Sequence, residues 1–405
     1  MSATTIRPVY LDNNATTRVD PLVVQAMLPY FSDQFGNPSS MHAFGAQVGD
    51  ALRNARRQLQ ALLGSEYDHE LIFTSGGTES DNTAIMSALE TQKGRDEVVT
   101  SMVEHPAVLS LCKYLEQSRG TKVHYIPVDA RGRLDVDAYR KALGPKTAIA
   151  SIMWANNETG TVFPVELLAE LAHEAGALFH TDAVQAVGKL PISLRDSEID
   201  MLSLSGHKLH GPKGIGALYV RKGIRQRPLL RGGHQERGRR AGTENIPGII
   251  GLGKAAELAL THMDDEQTRV RALRDRLEAA IVKMVPRALV MGDPANRLPN
   301  TSNIAFEYIE GEAILLLMNK MGIAASSGSA CTSGSLEPSH VMRAMNVPYT
   351  AAHGAIRFSL SRETVDQDID QVIGAMPGII EKLRELSPFW RDDEGGGSGF
   401  SPTYA

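Results

Sequence analysis

Two residues 26 positions apart, Asp182 and Lys208, have the types and settings that could do chemistry together. Lys208 ends the stretch Ser203-Leu204-Ser205-Gly206-His207-Lys208, and Gly211, Pro212, Lys213 and Gly214 follow. Taken alone it reads as a lysine on a surface loop, because lysine is seldom buried without a partner. In a partly buried turn its amine would lose its proton more readily and condense with an aldehyde. Asp182 lies in His180-Thr181-Asp182-Ala183-Val184-Gln185, just past an apolar run. Taken alone it reads as a helix cap. A carboxylate buried there is costly unless it faces a cation, and a protonated pyridine nitrogen is such a cation. An aldehyde and a pyridine nitrogen are both present in pyridoxal 5'-phosphate (PLP), where a carboxylate on the nitrogen makes the ring an electron sink. The pair is more specific than either residue.

Other candidates fall at similar places. Thr74-Ser75-Gly76-Gly77-Thr78-Glu79-Ser80 joins a strand pattern to a helix pattern. Free N–H groups at a helix start attract phosphate, and glycines allow close approach. No Gly-Lys-Ser/Thr follows, so this is not a Walker loop. Ser205 and His207 could add donors. His105, in Glu104-His105-Pro106, is either a helix-start residue or an imidazole stacked on a ring as a proton shuttle. Asn157, in Trp154-Ala155-Asn156-Asn157-Glu158-Thr159-Gly160, is either an Asx turn or a donor to a ring oxygen or a carboxylate. Thr78, His105, Asn157, Asp182 and Lys208 thus all sit at expected strand ends, where ligands of open α/β sheets bind.

Arg357 stands in an apolar strand pattern, Ile356-Arg357-Phe358-Ser359. It reads as bidentate capture of a carboxylate or as an internal salt bridge. The run Ala324 to Ser335 surrounds Cys331 with small residues and glycines. Such a segment cannot pack tightly, so it predicts a mobile loop with an exposed, reactive thiol. The other cysteine, Cys112, lies on an apolar helical face and reads as inert core. Eight basic residues between Arg221 and Arg240 could bind nucleic acid, but few aromatics interleave with them. A subunit or partner contact is preferred, with Thr243 just beyond the run in reach of a neighbouring subunit's phosphate.

The chain of 405 residues has 42% hydrophobic and 22% charged residues, an ordinary globular balance. Its net charge of −5 gives no global basic field for nucleic acid. No apolar run is long enough to span a membrane and no secretory leader is read, so a cytoplasmic location is expected. Two cysteines cannot build a four-cysteine cage. Strand patterns at 70–73, 98–101, 122–128, 147–154, 177–181, 201–205 and 216–220 alternate with helices from about Glu79, Pro106 and Val165. This predicts an α/β unit with a mostly parallel sheet and helices on both faces. Beyond about 260 the pattern turns to α+β: a helix over 268–284, a strand over 303–308, a helix over 312–321 and a strand over 355–360. Thr364-Val365-Asp366-Gln367 reads as a capping box opening a last helix to about Leu386. The Gly-rich end, 391–405, predicts a mobile tail.

Together these motifs resemble the cysteine desulfurases, fold-type I PLP enzymes related to the class-V aminotransferases. The likeness runs from Tyr10-Leu11-Asp12-Asn13-Asn14-Ala15-Thr16-Thr17 to about Trp390. Its most specific stretches are Arg231-Gly232-Gly233-His234-Gln235-Glu236-Arg237-Gly238 and Ser327 to Gly334. Gly311 to Leu316 and Glu337 to Met342 resemble the nitrogen-fixation branch. The resemblance implies a large PLP-binding domain over 17–260 with a seven-stranded sheet. It also implies a small domain made of 1–16 and 261–390. Lys208 would bind the PLP aldehyde and act as base, Asp182 would pair with the pyridine nitrogen, and Gln185 would contact the ring hydroxyl. His105 would stack on the ring. Gly77, Thr78, Ser205, Gly206 and His207 would hold the phosphate, with Thr243 from the other subunit of a homodimer. Asn157 would touch cofactor and substrate, Arg357 would bind the carboxylate of L-cysteine, and Cys331 would accept the sulfur. An iron–sulfur scaffold is the implied acceptor, and Cys331 is a candidate ligand of a transient shared [2Fe–2S] cluster. Alternatives are a housekeeping desulfurase, a selenocysteine lyase, a small aminotransferase, or a carrier whose Cys331 holds a cluster with a partner.

Overall fold

Five-residue runs such as Thr147–Ser151, Leu178–Asp182 and Met201–Ser205 are buried along their whole length. Strands apolar on both faces belong in the middle of a sheet covered by helices on each side. The structure is a computed structural model and describes residues 7–327 and 338–390. Cys331, most of its small-residue segment and the tail 391–405 lie outside the described residues.

The main sheet has seven strands. In spatial order they are Leu71–Thr74, Gly216–Val220, Met201–Ser205, Leu178–Asp182, Thr147–Ser151, Glu97–Ser101 and Lys122–Ile126. All neighbours pair in parallel except Gly216–Val220, which is antiparallel to both of its partners. The helices Gly77–Thr91, Pro106–Arg119 and Val165–Glu174 follow their strands as expected. The first begins at Gly77, two residues before the expected Glu79.

Two helices were not legible from pattern. Ala43–Leu63 and Ile246–Thr261 pack against each other and against the sheet's core. The second leads the chain to a continuous helical stretch from Met263 to Met284, interrupted by a π turn at Glu266–Val270.

A three-stranded antiparallel sheet, Ala355–Ser359, Thr301–Phe306 and Ala288–Met291, forms a separate layer. Its core joins Val9 and Leu11 to apolar residues between Val270 and Ile380. Val9–Tyr10 pairs in parallel with Ile323–Ala324, which ties the start of the chain to this layer. The last helix spans Asp366–Leu386. Its start corrects the expected capping box by one residue. The Thr364 hydroxyl accepts from the Ser361 N–H instead, and the Asp368 carboxylate accepts from the Val365 N–H at 3.0 Å. Among the described residues no helix is long and apolar enough to cross a membrane.

Candidate active site

Parallel pairing sets Asp182 beside Ser203, so the ends of these two strands open at one edge of the sheet. Past Ser205 the chain makes a single helical turn, Gly206–Lys208, which aims the lysine back over that edge. Lys208 is half-buried, and its Nζ donates to the carbonyls of Asn14 and Ala15 at 2.5 and 2.7 Å. Asn13 and Asn14 are buried, and Asn14 is a hub that sequence pattern did not single out. Its amide donates to Thr301 Oγ1 and to the Asn157 carbonyl, while its carbonyl accepts from Gln185 as well as Lys208.

Asp182 is 6% exposed, accepts from the Val184 N–H at 2.9 Å, and forms no ion pair among the described residues. Burial raises its pKa, against the pull of His105 and Lys208. A buried carboxylate in that state fits a pyridinium, which would supply the missing cation. Nearby carboxyls are less suited to the task. Burial pushes Asp81 well above the carboxylate range, and the Asp182 charge pushes it further. Burial likewise pushes Glu104 up to about 8. Of the three carboxyls, Asp182 is the one whose basic neighbours, His105 and Lys208, pull against burial.

Glu104 yields a pH test. Its oxygens accept from Ser101 Oγ at 2.6 Å and from the Met153 N–H at 3.0 Å, and it is fully buried. In the unfolded chain it loses its proton near pH 4.3, whereas in the fold it keeps it to about 8. The unfolded state then holds fewer protons between those values, so this group costs stability as pH rises through that window, by at most about 1.4 kcal/mol per unit. Glu104→Gln is expected to flatten the fall of thermal stability between pH 5 and 8. An unchanged slope in denaturation scans would count against a neutral Glu104.

His105 caps the helix Pro106–Arg119, its Nδ1 accepting from the Ala107 N–H at 3.1 Å. The helix-start reading of this residue thus holds, and the cap leaves Nε2 as the protonated nitrogen. Burial lowers its pKa, Asp182 opposes that, and Lys208 adds to it, so the ring is neutral. A neutral imidazole can stack on an aromatic ligand without repelling its cation.

The glycine-rich turn makes an open cleft of about 440 Å³. Gly77, Thr78, Ser205, His207 and Lys213 line it together with Thr16. A side chain at Gly77 would put a Cβ 2.7 Å from Val184 Cγ2, so only glycine lets the helix start come this close to the Asp182 turn. Free N–H groups, a hydroxyl and a lysine suit a phosphate. Burial, with Lys208 next, lowers His207 to about 4, so it offers a neutral ring, hydrogen-bonded through Nδ1 to Thr16. Gly206 is buried beneath this rim. Thr243 is exposed and does not line the cleft of its own chain.

Arg357 is 2% exposed and bridges the sites of the two sheets. Its guanidinium pairs with Asp12 at 2.7 Å and donates to the Asn157 carbonyl at 3.0 Å, and its Nε is buried without a hydrogen-bond partner. The internal salt bridge is therefore real, and the Nε–H is the one donor of the fork it leaves without a partner. The Asx turn expected at Asn157 belongs to Asn156, whose Oδ1 accepts from the N–H groups of Glu158 and Thr159. Cys112 is fully buried, and burial pushes its thiol up to about 12, as inert core requires. Part of the basic run is spent inside the chain. Arg221 and Arg239 donate to main-chain carbonyls, and Arg240 pairs with Glu79. Arg225, Arg227 and Arg237 remain exposed.

Comparison with known proteins agrees with this geometry. The family described as aminotransferase class-V matches residues 9–372. A cysteine desulfurase of Gluconacetobacter diazotrophicus is 77% identical over 98% of this chain and 99% of its own. The cysteine desulfurase NifS of Azotobacter vinelandii is 66% identical over 98% and 99%. Among solved structures, a NifS-like protein covers 94% of this chain and all of its own with a TM-score of 0.86 at 38% identity. SspA in complex with cysteine covers 88% of this chain with a TM-score of 0.78 at 36% identity.

Proposed function

The chain belongs to the class-V aminotransferase family and is a PLP-dependent cysteine desulfurase, and on that premise we propose how its residues divide the work and where the sulfur goes. The observation that carries the reading is the grouping of Lys208, a buried Asp182 with no ion pair among the described residues, and His105, each within electrostatic reach of the others, at strand ends beside the open cleft lined by Gly77, Thr78, Ser205 and His207.

Lys208 would hold the aldehyde carbon of PLP and would take the proton from Cα of L-cysteine. Bound PLP supplies an electron sink that takes up the charge released at Cα. Asp182 would keep the ring nitrogen protonated, His105 would stack on the ring, and Gln185 would donate to the ring hydroxyl. Gly77, Thr78, Ser205, Gly206 and His207 would hold the phosphate. Asn157 and Arg357 would orient the substrate carboxylate. The Cys331 thiolate attacks the substrate sulfur: an S–S bond forms and the Cβ–S bond breaks. Cβ takes the electron pair and a proton, Cα recovers its proton, and alanine leaves. No external oxidant is needed, because the sulfur moved is oxidised and the carbon is reduced by the same two electrons. The solved relative in complex with cysteine supports this substrate.

We assign residues 17–260 to the PLP-binding domain and 1–16 with 261–390 to the small domain. The grouping of Val9 and Leu11 with residues beyond 270 supports that division. Segments 341–355 pack on the main core, where the two domains would meet.

Two features of the surface support a homodimer. Leu22, Leu28, Phe31, Phe35, Met41 and Phe44 are exposed on neighbouring turns of one segment, a patch that monomers seldom leave in water. Thr243 is exposed at a rim whose own cleft it does not reach, as a residue donated to a second subunit would be. Light scattering on the holoenzyme is expected to give twice the chain mass of 43.9 kDa, and a monomer would contradict this.

The sulfur acceptor is an iron–sulfur scaffold in the cytoplasm serving nitrogenase. During handover the Cys331 thiol would be the ligand shared with any transient [2Fe–2S] cluster. The resemblance to NifS favours this over a housekeeping role. Deleting the gene is expected to depress nitrogenase activity strongly while other iron–sulfur enzymes keep theirs. A general loss of iron–sulfur enzymes would favour the housekeeping reading.

A further inference from the structure

Lys189 is 5% exposed and takes no part in the steps above. Its Nζ donates to Gln185 Oε1 at 2.9 Å and to the Gln185 carbonyl at 3.2 Å. A glutamine amide has a donating and an accepting end, and its partners decide which end faces a ligand. Charged or neutral, the Lys189 nitrogen keeps N–H groups to donate, so it claims Oε1 and turns Nε2 the other way. Nε2 donates to the Asn14 carbonyl at 3.0 Å, the same carbonyl that accepts from Lys208. The N–H end of Gln185 therefore lies on the Lys208 side of the site.

The surroundings of Lys189 are charged. A water-sized cavity of about 20 Å³ is lined by Lys189, Lys208, His210, His262, Glu266 and Arg362. Glu266 is the acidic group there, and its Oε2 is buried without a hydrogen-bond partner. Burial draws Lys189 down to about 7, Glu266 opposes this, and Lys208 and Arg357 add to it. Burial raises Glu266 to about 7, which Lys189 and Arg362 oppose. His207 and His210 also feel the Lys189 charge, and burial keeps both neutral.

We propose that Lys189 is a positioning residue that locks the Gln185 amide with Nε2 toward the cofactor's ring oxygen, so that this oxygen meets a donor and never a carbonyl. The proposal rests on the reading that Gln185 contacts the ring hydroxyl. A donor stabilises the oxygen as an anion and weakens its hold on the proton it shares with the Lys208 nitrogen. Without Lys189 only the Asn14 carbonyl holds the amide, and whenever the amide turns, a carbonyl facing that anion makes it hold the proton more tightly.

The test is the pH titration of the bound cofactor's visible absorbance in the substrate-free holoenzyme. Lys189→Met is expected to raise the midpoint by roughly one unit, the size of one hydrogen bond to a charged group. Gln185→Leu should raise it similarly, and the double variant should go no further, because one residue acts through the other. Fully additive shifts would mean a bare charge effect and would overturn the proposal. A shift in Gln185→Leu with none in Lys189→Met would overturn the role of Lys189 while leaving the Gln185 contact standing. No shift in Gln185→Leu would overturn that contact and the proposal with it. Should Lys189→Met not retain cofactor, Lys189→Arg decides. It keeps a cationic donor, so the parental midpoint is expected, and a rise of the size given above would overturn the proposal.

Discussion

Lys208→Ala is expected to stop turnover of L-cysteine, with alanine formation falling by about a thousandfold or more. A positioned proton-transfer group alone contributes about 10² to 10⁴. Lys208 also holds the aldehyde carbon, so both contributions leave together. The cleft at Gly77, Thr78 and Ser205 does not depend on the lysine, so the variant should still bind PLP. Borohydride reduction should fix the cofactor to the Lys208 peptide in the parent and to no peptide in the variant. Substantial alanine formation by Lys208→Ala would mean that another group moves the Cα proton.

Cys331→Ala should lose alanine formation just as completely, for a different reason. PLP and L-cysteine still bind, because Asp182, Gln185, Asn157 and Arg357 are untouched. What is lost is the thiolate that takes the sulfur, so the Cβ–S bond has no acceptor to break toward. The spectral change on adding L-cysteine should therefore survive while product does not appear. This variant also separates the readings that share the fold. An aminotransferase would keep its rate, since transamination needs no thiol. Cys112 cannot substitute, because it is fully buried with its thiol pushed up to about 12.

The sheet was legible because most of its strands are short buried runs followed by turn residues. Leu71–Thr74 through Gly216–Val220 fall where alternation places them, with ends shifted by a few residues. The helix Ile246–Thr261 was harder to read. It carries Gly248, Gly251 and Gly253, and glycines in number read as loop. Packing explains them: a Cβ at Gly253 would lie 2.6 Å from Ala55 Cα, so the glycine lets the helix Ala43–Leu63 approach. Ala288–Met291 was missed because its edge position leaves it half-exposed, without a buried apolar signature.

The site divides the same way. Residues at strand ends carry a local signal, a polar type just past an apolar run, and Asp182, Lys208 and His105 were singled out by it. Asn14 and Lys189 carry none. The importance of Asn14 lies in contacts spanning long stretches of chain, with Lys208 and Thr301, and that of Lys189 in its burial against the Gln185 amide, which only the fold reveals. Arg357 was ambiguous in sequence because its guanidinium does two things, pairing with Asp12 and leaving Nε unpartnered.

The most direct test is a single turnover of the PLP-loaded protein with L-cysteine and no added thiol, followed by alanine analysis and peptide mass spectrometry. Sulfur leaving through the Lys208 site onto Cys331 predicts one alanine for each chain whose Cys331 peptide has gained a sulfur atom, with the Cys112 peptide unchanged. Alanine without sulfur on Cys331, sulfur on Cys112, or pyruvate and ammonia in place of alanine would contradict it.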